Sequence, residues 1–197
     1  YKPADQQLHW TEFLSARDSV AGAEGHGGHG SHTSSTAAGN AGVTALTGGL
    51  NLGKVTGMAP RARIAAYKVC WTDAVTGKNG CPTASSVAAI NQAVKDGVNV
   101  INFSIGSSAG GGTFTDATEQ AFLGATAAGV FVSTSAGNQG PGATAPAPVG
   151  HISPWLASVG YAYTTAEKNS GLNSTFTDGD DLKTSHIVIG TLVYNLA

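Results

Sequence analysis

The stretch Asp96-Gly97-Val98-Asn99-Val100-Ile101-Asn102-Phe103-Ser104-Ile105-Gly106 decides the fold. Asp96-Gly97 is a stop signal, and the apolar and β-branched run after it reads as a buried strand. Upstream, residues 83–95 carry Val87, Ile90 and Val94 at helical spacing, so the spacing predicts a helix ending at the stop. Downstream, residues 115–128 read as a second helix halted by Gly129, and residues 130–134 as another strand. Residues 62–69 and 155–162 add strands at either end of the series. Alternating strands and helices of these lengths predict an α/β fold, three layers (α/β/α) around a mostly parallel sheet with right-handed crossovers. In open sheets of this kind ligands bind beyond the carboxyl ends of the strands. That directs attention to the loops Gly106-Ser107-Ser108-Ala109-Gly110-Gly111-Gly112 and Ser135-Ala136-Gly137-Asn138-Gln139-Gly140-Pro141, both rich in small residues whose backbone can approach a ligand closely.

The chain has 197 residues, 41% of them hydrophobic, enough for one domain with a real core. Only 11% are charged, against roughly 25% in an average soluble protein. Small residues fill the gap, 28 of them glycine, which implies tight turns and close packing. Ten basic and twelve acidic residues leave a formal charge of −2 with no block of one sign, so nucleic acid and anionic membranes are not expected partners. No apolar run approaches the roughly 20 residues that span a bilayer, and Tyr1-Lys2-Pro3-Ala4 does not read as a signal peptide.

Cys70 and Cys81 bracket a polar, turn-rich segment. A disulfide there would close a short loop, worth about 3 kcal/mol in the chain-entropy picture, and is preferred over two free thiols. Two cysteines alone do not make a zinc site.

The chemistry-bearing residues concentrate in Gly25-His26-Gly27-Gly28-His29-Gly30-Ser31-His32, which runs into a small-residue segment, residues 33–38, suited to a tightly packed helix. Three histidines at three-residue spacing are candidate bases or ligands for a transition metal, although the glycines oppose a preformed tetrahedral site. Gly25-x-Gly27-x-x-Gly30 formally fits a dinucleotide fingerprint but lacks the strand before it and the acidic residue about 20 positions later. Gly106-x-Ser108-x-Gly110 fits the nucleophile elbow of α/β-hydrolases, with Asp116 or Asp178 and His151 or His186 as partners. Gly110-Gly111-Gly112 opposes the helix that an elbow enters at once. The reading set against these is nucleophilic catalysis at a carbonyl, with a histidine at a helix start as general base and an asparagine amide at a strand end as oxyanion donor.

The segment Gly28-His29-Gly30-Ser31-His32-Thr33-Ser34-Ser35-Thr36-Ala37-Ala38-Gly39-Asn40 resembles the histidine motif of the subtilisin-like serine proteases, in the form used by plant-type subtilases and their bacterial relatives. Gly57-Met58-Ala59-Pro60, Tyr67-Lys68-Val69-Cys70-Trp71, residues 96–106 and Ser135-Ala136-Gly137-Asn138-Gln139-Gly140-Pro141 follow in the family's order, and the resemblance runs from about Asp18 to Gly160. It implies a serine endopeptidase acting through an acyl-enzyme, with His29 as general base, Asn138 as oxyanion donor, His32 structural and His26 incidental. It implies that Ser104, Ile105 and Gly106 form the edge that pairs with substrate backbone as an added strand. Ser135, Ala136 and Gly137 would then be the other wall of the pocket for the residue before the scissile bond. It favours the Cys70–Cys81 disulfide and secretion to the extracellular space, with peptide or protein substrates, no required cofactor, and calcium only as a structural ion with no identifiable site.

The family's aspartate motif upstream of the histidine and its Gly-Thr-Ser-Met-Ala serine motif downstream do not occur here. The chain therefore reads as part of a catalytic domain that needs the remainder of the protease as its partner. Residues 1–164 are assigned to that domain, and 165–197, where the alternation breaks, to the approach of an inserted domain. A non-catalytic peptide-binding fragment or pseudoprotease is the alternative from a different class.

Overall fold

The computed structural model describes residues 28–73, 75–76, 79–106, 112, 114–137 and 149–160. Three strands, β5 (Val100–Phe103), β6 (Phe131–Ser135) and β7 (Ala157–Val159), pair in parallel in that order. Val100 faces Phe131 and Phe103 faces Thr134 across the first ladder, while Ser133 faces Ala157 across the second. The crossover from β5 to β6 is α3 (Ala117–Ala127), and α2 (Thr83–Lys95) precedes β5 and packs against α3.

α2 starts and stops where its sequence says it should, while α3 is shorter than the 115–128 expected. Pro82 stands at the N-cap of α2, where its missing N–H costs nothing. Asp116 caps α3, its Oδ1 accepting from the N–H groups of Thr118 and Glu119 at 2.8 and 3.0 Å. Gly97 and Gly129 follow the helices with φ of 74° and 88°, the left-handed turn that glycine enters without strain.

Ile90 of α2, Phe122 and Ala125 of α3, Phe103, Val130 and Val132 form one buried cluster between helices and sheet. Phe122 is 0% exposed and meets Phe103 edge-on at 5.1 Å between ring centroids. Central strand β6 has Val132, Ser133 and Thr134 all buried, yet Phe131 is 42% exposed. The described residues thus supply the parallel sheet and one helical layer of the expected three.

The remaining elements precede this unit. Helix α1 (His29–Ala38) begins four residues before the small-residue segment that suggested it. β1 (Val43–Thr47) and β2 (Leu50–Val55) form an antiparallel hairpin that the sequence reading left as glycine-rich loop. Its two-residue turn is Gly48-Gly49, with φ of 52° and 82°, and its apolar side chains Leu46, Leu50 and Leu52 are exposed. Short strands β3 (Trp71–Thr72) and β4 (Asn79–Gly80) pair beside a Cys70–Cys81 disulfide with Cα atoms 4.0 Å apart.

The strand expected at 62–69 is not one: the segment has no ladder partner among the described residues, and Tyr67 instead donates from its hydroxyl to Asp96 Oδ2 at 2.6 Å. β-branched residues favour extended backbone, but a strand exists only beside a neighbour. The expected strands at 98–105 and 155–162 are shorter, at Val100–Phe103 and Ala157–Val159. The division at residue 164 lies outside the described residues.

Candidate active site

Helix α1 starts at His29 because Gly28 takes φ 80°, a left-handed entry, and its carbonyl then accepts the first helical bond from His32 N at 2.8 Å. The hydroxyls of Ser34 and Thr36 fold back onto the carbonyls of Gly30 and His32, at 2.7 and 2.9 Å. The end of the helix is held by the chain returning from the hairpin. Gly57 N donates to Gly39 O (3.1 Å), Met58 N to Thr36 O (2.9 Å) and Ala59 N to Ala37 O (2.8 Å), satisfying carbonyls that a helix terminus leaves open. Gly57 must be glycine: a Cβ there would overlap the Gly39 nitrogen and the Ser35 carbonyl oxygen. His29 is solvent-exposed on this helix, and His32 is exposed as well.

The two segments that the resemblance casts as substrate walls lie side by side. Parallel pairing of Phe103 with Thr134 sets Ser104-Ile105-Gly106 beside Ser135-Ala136-Gly137. A Cβ on Gly106 would lie 3.8 Å from Ser135 Oγ, 3.8 Å from Gly150 Cα and 3.9 Å from His151 Nε2, so two other segments converge on that glycine. Ala136 is fixed from both sides, its N–H donating to Val159 O and its carbonyl accepting from Gly150 N. Gly137 turns away with φ 105°. Asn138, His26 and Ser108 lie outside the described residues. His29 stands on a separate element, α1.

Beneath Gly106 opens a cavity of about 250 Å³, lined among others by Ile105, Gly106, Asp116, Glu119, Gly150 and His151. Two of these residues were missed by sequence reasoning as a pair. Glu119, 2% exposed, lies 2.5 Å from His151 Nδ1, and His151, 5% exposed, sets Nε2 2.6 Å from the Ile105 carbonyl oxygen. The available signal was Glu119 three residues before Phe122, a carboxylate on the apolar face of α3 that required a buried partner. His151 was considered only as a partner for Ser108, and both of its ring nitrogens are occupied by Glu119 and Ile105.

Away from the cavity, the Asp96 carboxylate accepts from Tyr67 and from Gln92 Nε2 at 2.8 Å. The hydrogen bond to Asp96 pushes the Tyr67 phenol up to about 12, and the same bond, with that from Gln92, holds Asp96 below its usual value. Among the described residues no three His, Cys, Asp or Glu side chains cluster as metal ligands, and no helix is long and apolar enough to cross a membrane.

A model of the subtilase family matches residues 4–181. The chain belongs to the subtilase family. Its relatives include three proteins of Arabidopsis thaliana. Subtilisin-like protease SBT1.6 is 40% identical over 87% of this chain and 20% of its own length. SBT1.5 is 44% identical over 76% of this chain and 17% of its own length, and SBT2.1 is 43% identical over 70% and 16%. This subtilase chain thus spans about a fifth or less of the relatives it matches. Among solved structures, the prenylagaramide maturation protease PagA aligns at TM-score 0.34 and 27% identity, over 45% of this chain and 30% of that one.

Proposed function

We propose that this chain is the part of a serine endopeptidase that supplies the general base, the oxyanion donor and the substrate-binding edge. The observation that carries the reading is the convergence of Ser104-Ile105-Gly106 and Ser135-Ala136-Gly137 around Gly106, at the carboxyl ends of adjacent parallel strands in a subtilase chain. A peptide laid along Ser104-Ile105-Gly106 adds a strand there, and the side chain before the scissile bond points between the two walls.

A serine hydroxyl from the remainder of the protease domain attacks the scissile carbonyl, and His29 accepts its proton. The carbonyl oxygen becomes an oxyanion that accepts a hydrogen bond from the Asn138 amide. His29 returns the proton to the leaving amine, the peptide bond breaks and an acyl-enzyme remains. Water then attacks the ester with His29 again taking a proton, which goes back to the serine. The orienting aspartate comes, like the serine, from the remainder of the domain. The Cys70–Cys81 disulfide supports a secreted protein, since such bonds persist in oxidising compartments.

The complete protein is expected to take up a fluorophosphonate on one serine and to lose peptidase turnover on His29→Ala. Peptide affinity without label or turnover would instead establish the pseudoprotease reading, and a label on Ser108 the elbow reading.

A further inference from the structure

Resting on the peptidase reading, we propose that Glu119 and His151 form a positioning couple that fixes the substrate-binding edge through the Ile105 carbonyl. Neither residue belongs to the catalytic set above, yet they tie three elements together. Glu119 rides on α3, His151 on the segment entering β7, and Ile105 on the segment leaving β5.

The bonding fixes the hydrogen on Nε2 of His151. A carbonyl oxygen can only accept, so Nε2 of His151 carries a hydrogen and donates to Ile105. Nδ1 and Glu119 Oε1 then share one further hydrogen, held either as an imidazolium and carboxylate or as a neutral imidazole and carboxylic acid. Both forms keep Nε2 aimed at Ile105. The unit is also locked by packing: the His151 ring meets Phe103 and Phe122 edge-on at 5.6 and 6.0 Å, and Trp155 Nε1 donates to the Glu119 carbonyl at 2.9 Å. Thr118 and Glu119 N–H groups are in turn held by Asp116.

The arrangement is costly. Among the described residues Glu119 Oε2 is buried without a hydrogen-bond partner, and an apolar pair of the same volume would pack this interface without that penalty. What an apolar pair lacks is a donor to Ile105. Successive carbonyls of extended chain point to opposite edges, so holding Ile105 O inward turns the polar groups of Ser104 and Gly106 toward the peptide. Gly106 lies directly over the couple, its would-be Cβ 3.9 Å from His151 Nε2.

The test uses the complete protein and two substrates, an extended peptide amide that needs the edge and a single-residue ester that does not. His151→Ala and Glu119→Ala are expected to raise KM for the extended peptide about tenfold, the scale of a hydrogen bond to a charged partner. Ester turnover and the fluorophosphonate labelling rate stay at wild-type values. Glu119→Gln restores the peptide KM, because its amide N–H donates to Nδ1 and leaves Nε2 protonated. Should an alanine variant not fold, the double variant Glu119→Leu/His151→Phe keeps the volume, removes the donor and should give the same split. Equal losses on both substrates, or none on either, would overturn the proposal. Should the wild-type protein neither label nor turn over, the peptidase reading falls. The couple is then judged by the Kd of the same extended peptide, which rises about tenfold in the alanine variants if the couple sets the edge and is unchanged if it does not.

Discussion

Gly57→Ala tests how the helix bearing His29 is held. The new methyl would overlap Gly39 N and stand 2.8 Å from both the Gly39 and Ser35 carbonyl oxygens, all backbone atoms that no rotamer change can move. Relief requires the returning chain to lift off the end of α1, which strains or breaks the three hydrogen bonds from Gly57, Met58 and Ala59. Each is worth about 0.5–1.5 kcal/mol net, and overpacking of this kind costs roughly 1–3 kcal/mol, so a loss of about 2–4 kcal/mol is expected. In a domain of this size that lowers Tm by roughly 5–15 °C, read by calorimetry on the complete protein. Because α1 carries His29, the fluorophosphonate labelling rate should fall as well. An unchanged melting temperature would refute the close packing of Gly57 on α1.

Gly124→Ala should have the opposite sign: it sits inside α3 with open space where the Cβ would go, and the gain is about 0.5–1 kcal/mol in a denaturant titration. Replacing both Cys70 and Cys81 by serine frees a loop of sequence separation 11 and should cost about 3 kcal/mol, while reductant should leave the double variant's melting point unchanged. Tyr67 should titrate at about 12 in the folded protein by its ultraviolet difference spectrum, and Asp96→Asn should bring it down toward 10.0. Its folded pKa is raised, so its contribution to stability is full below pH 10.0 and lost as pH rises through about 12; Asp96, lowered, contributes above its usual value and loses this as pH falls through its folded one.

The parts legible in the sequence were those whose own residues determine them. Val87, Ile90 and Val94 fixed α2 because apolar spacing and the Asp96-Gly97 stop agree, and the helix runs Thr83–Lys95 as expected. β5 and β6 were legible as strand runs on either side of α3, whereas the two segments read as substrate walls came from the family resemblance. The hairpin was not, because its leucines face solvent and belong to no core, so the informative signal was the Gly48-Gly49 turn rather than apolar pattern. Residues 62–69 show the converse: a strand-like composition cannot say whether a neighbour lies alongside. Glu119 and His151 stand 32 residues apart, and their pairing follows from the crossover that sets α3 over the sheet, which no local pattern encodes.

The central claim is that His29 is the general base of a serine peptidase. Active-site titration of the complete protein with a fluorophosphonate, wild type against His29→Ala, tests it most directly. The account predicts stoichiometric labelling of a single serine in the wild type and labelling and turnover both abolished in the variant. Undiminished turnover by His29→Ala would contradict it.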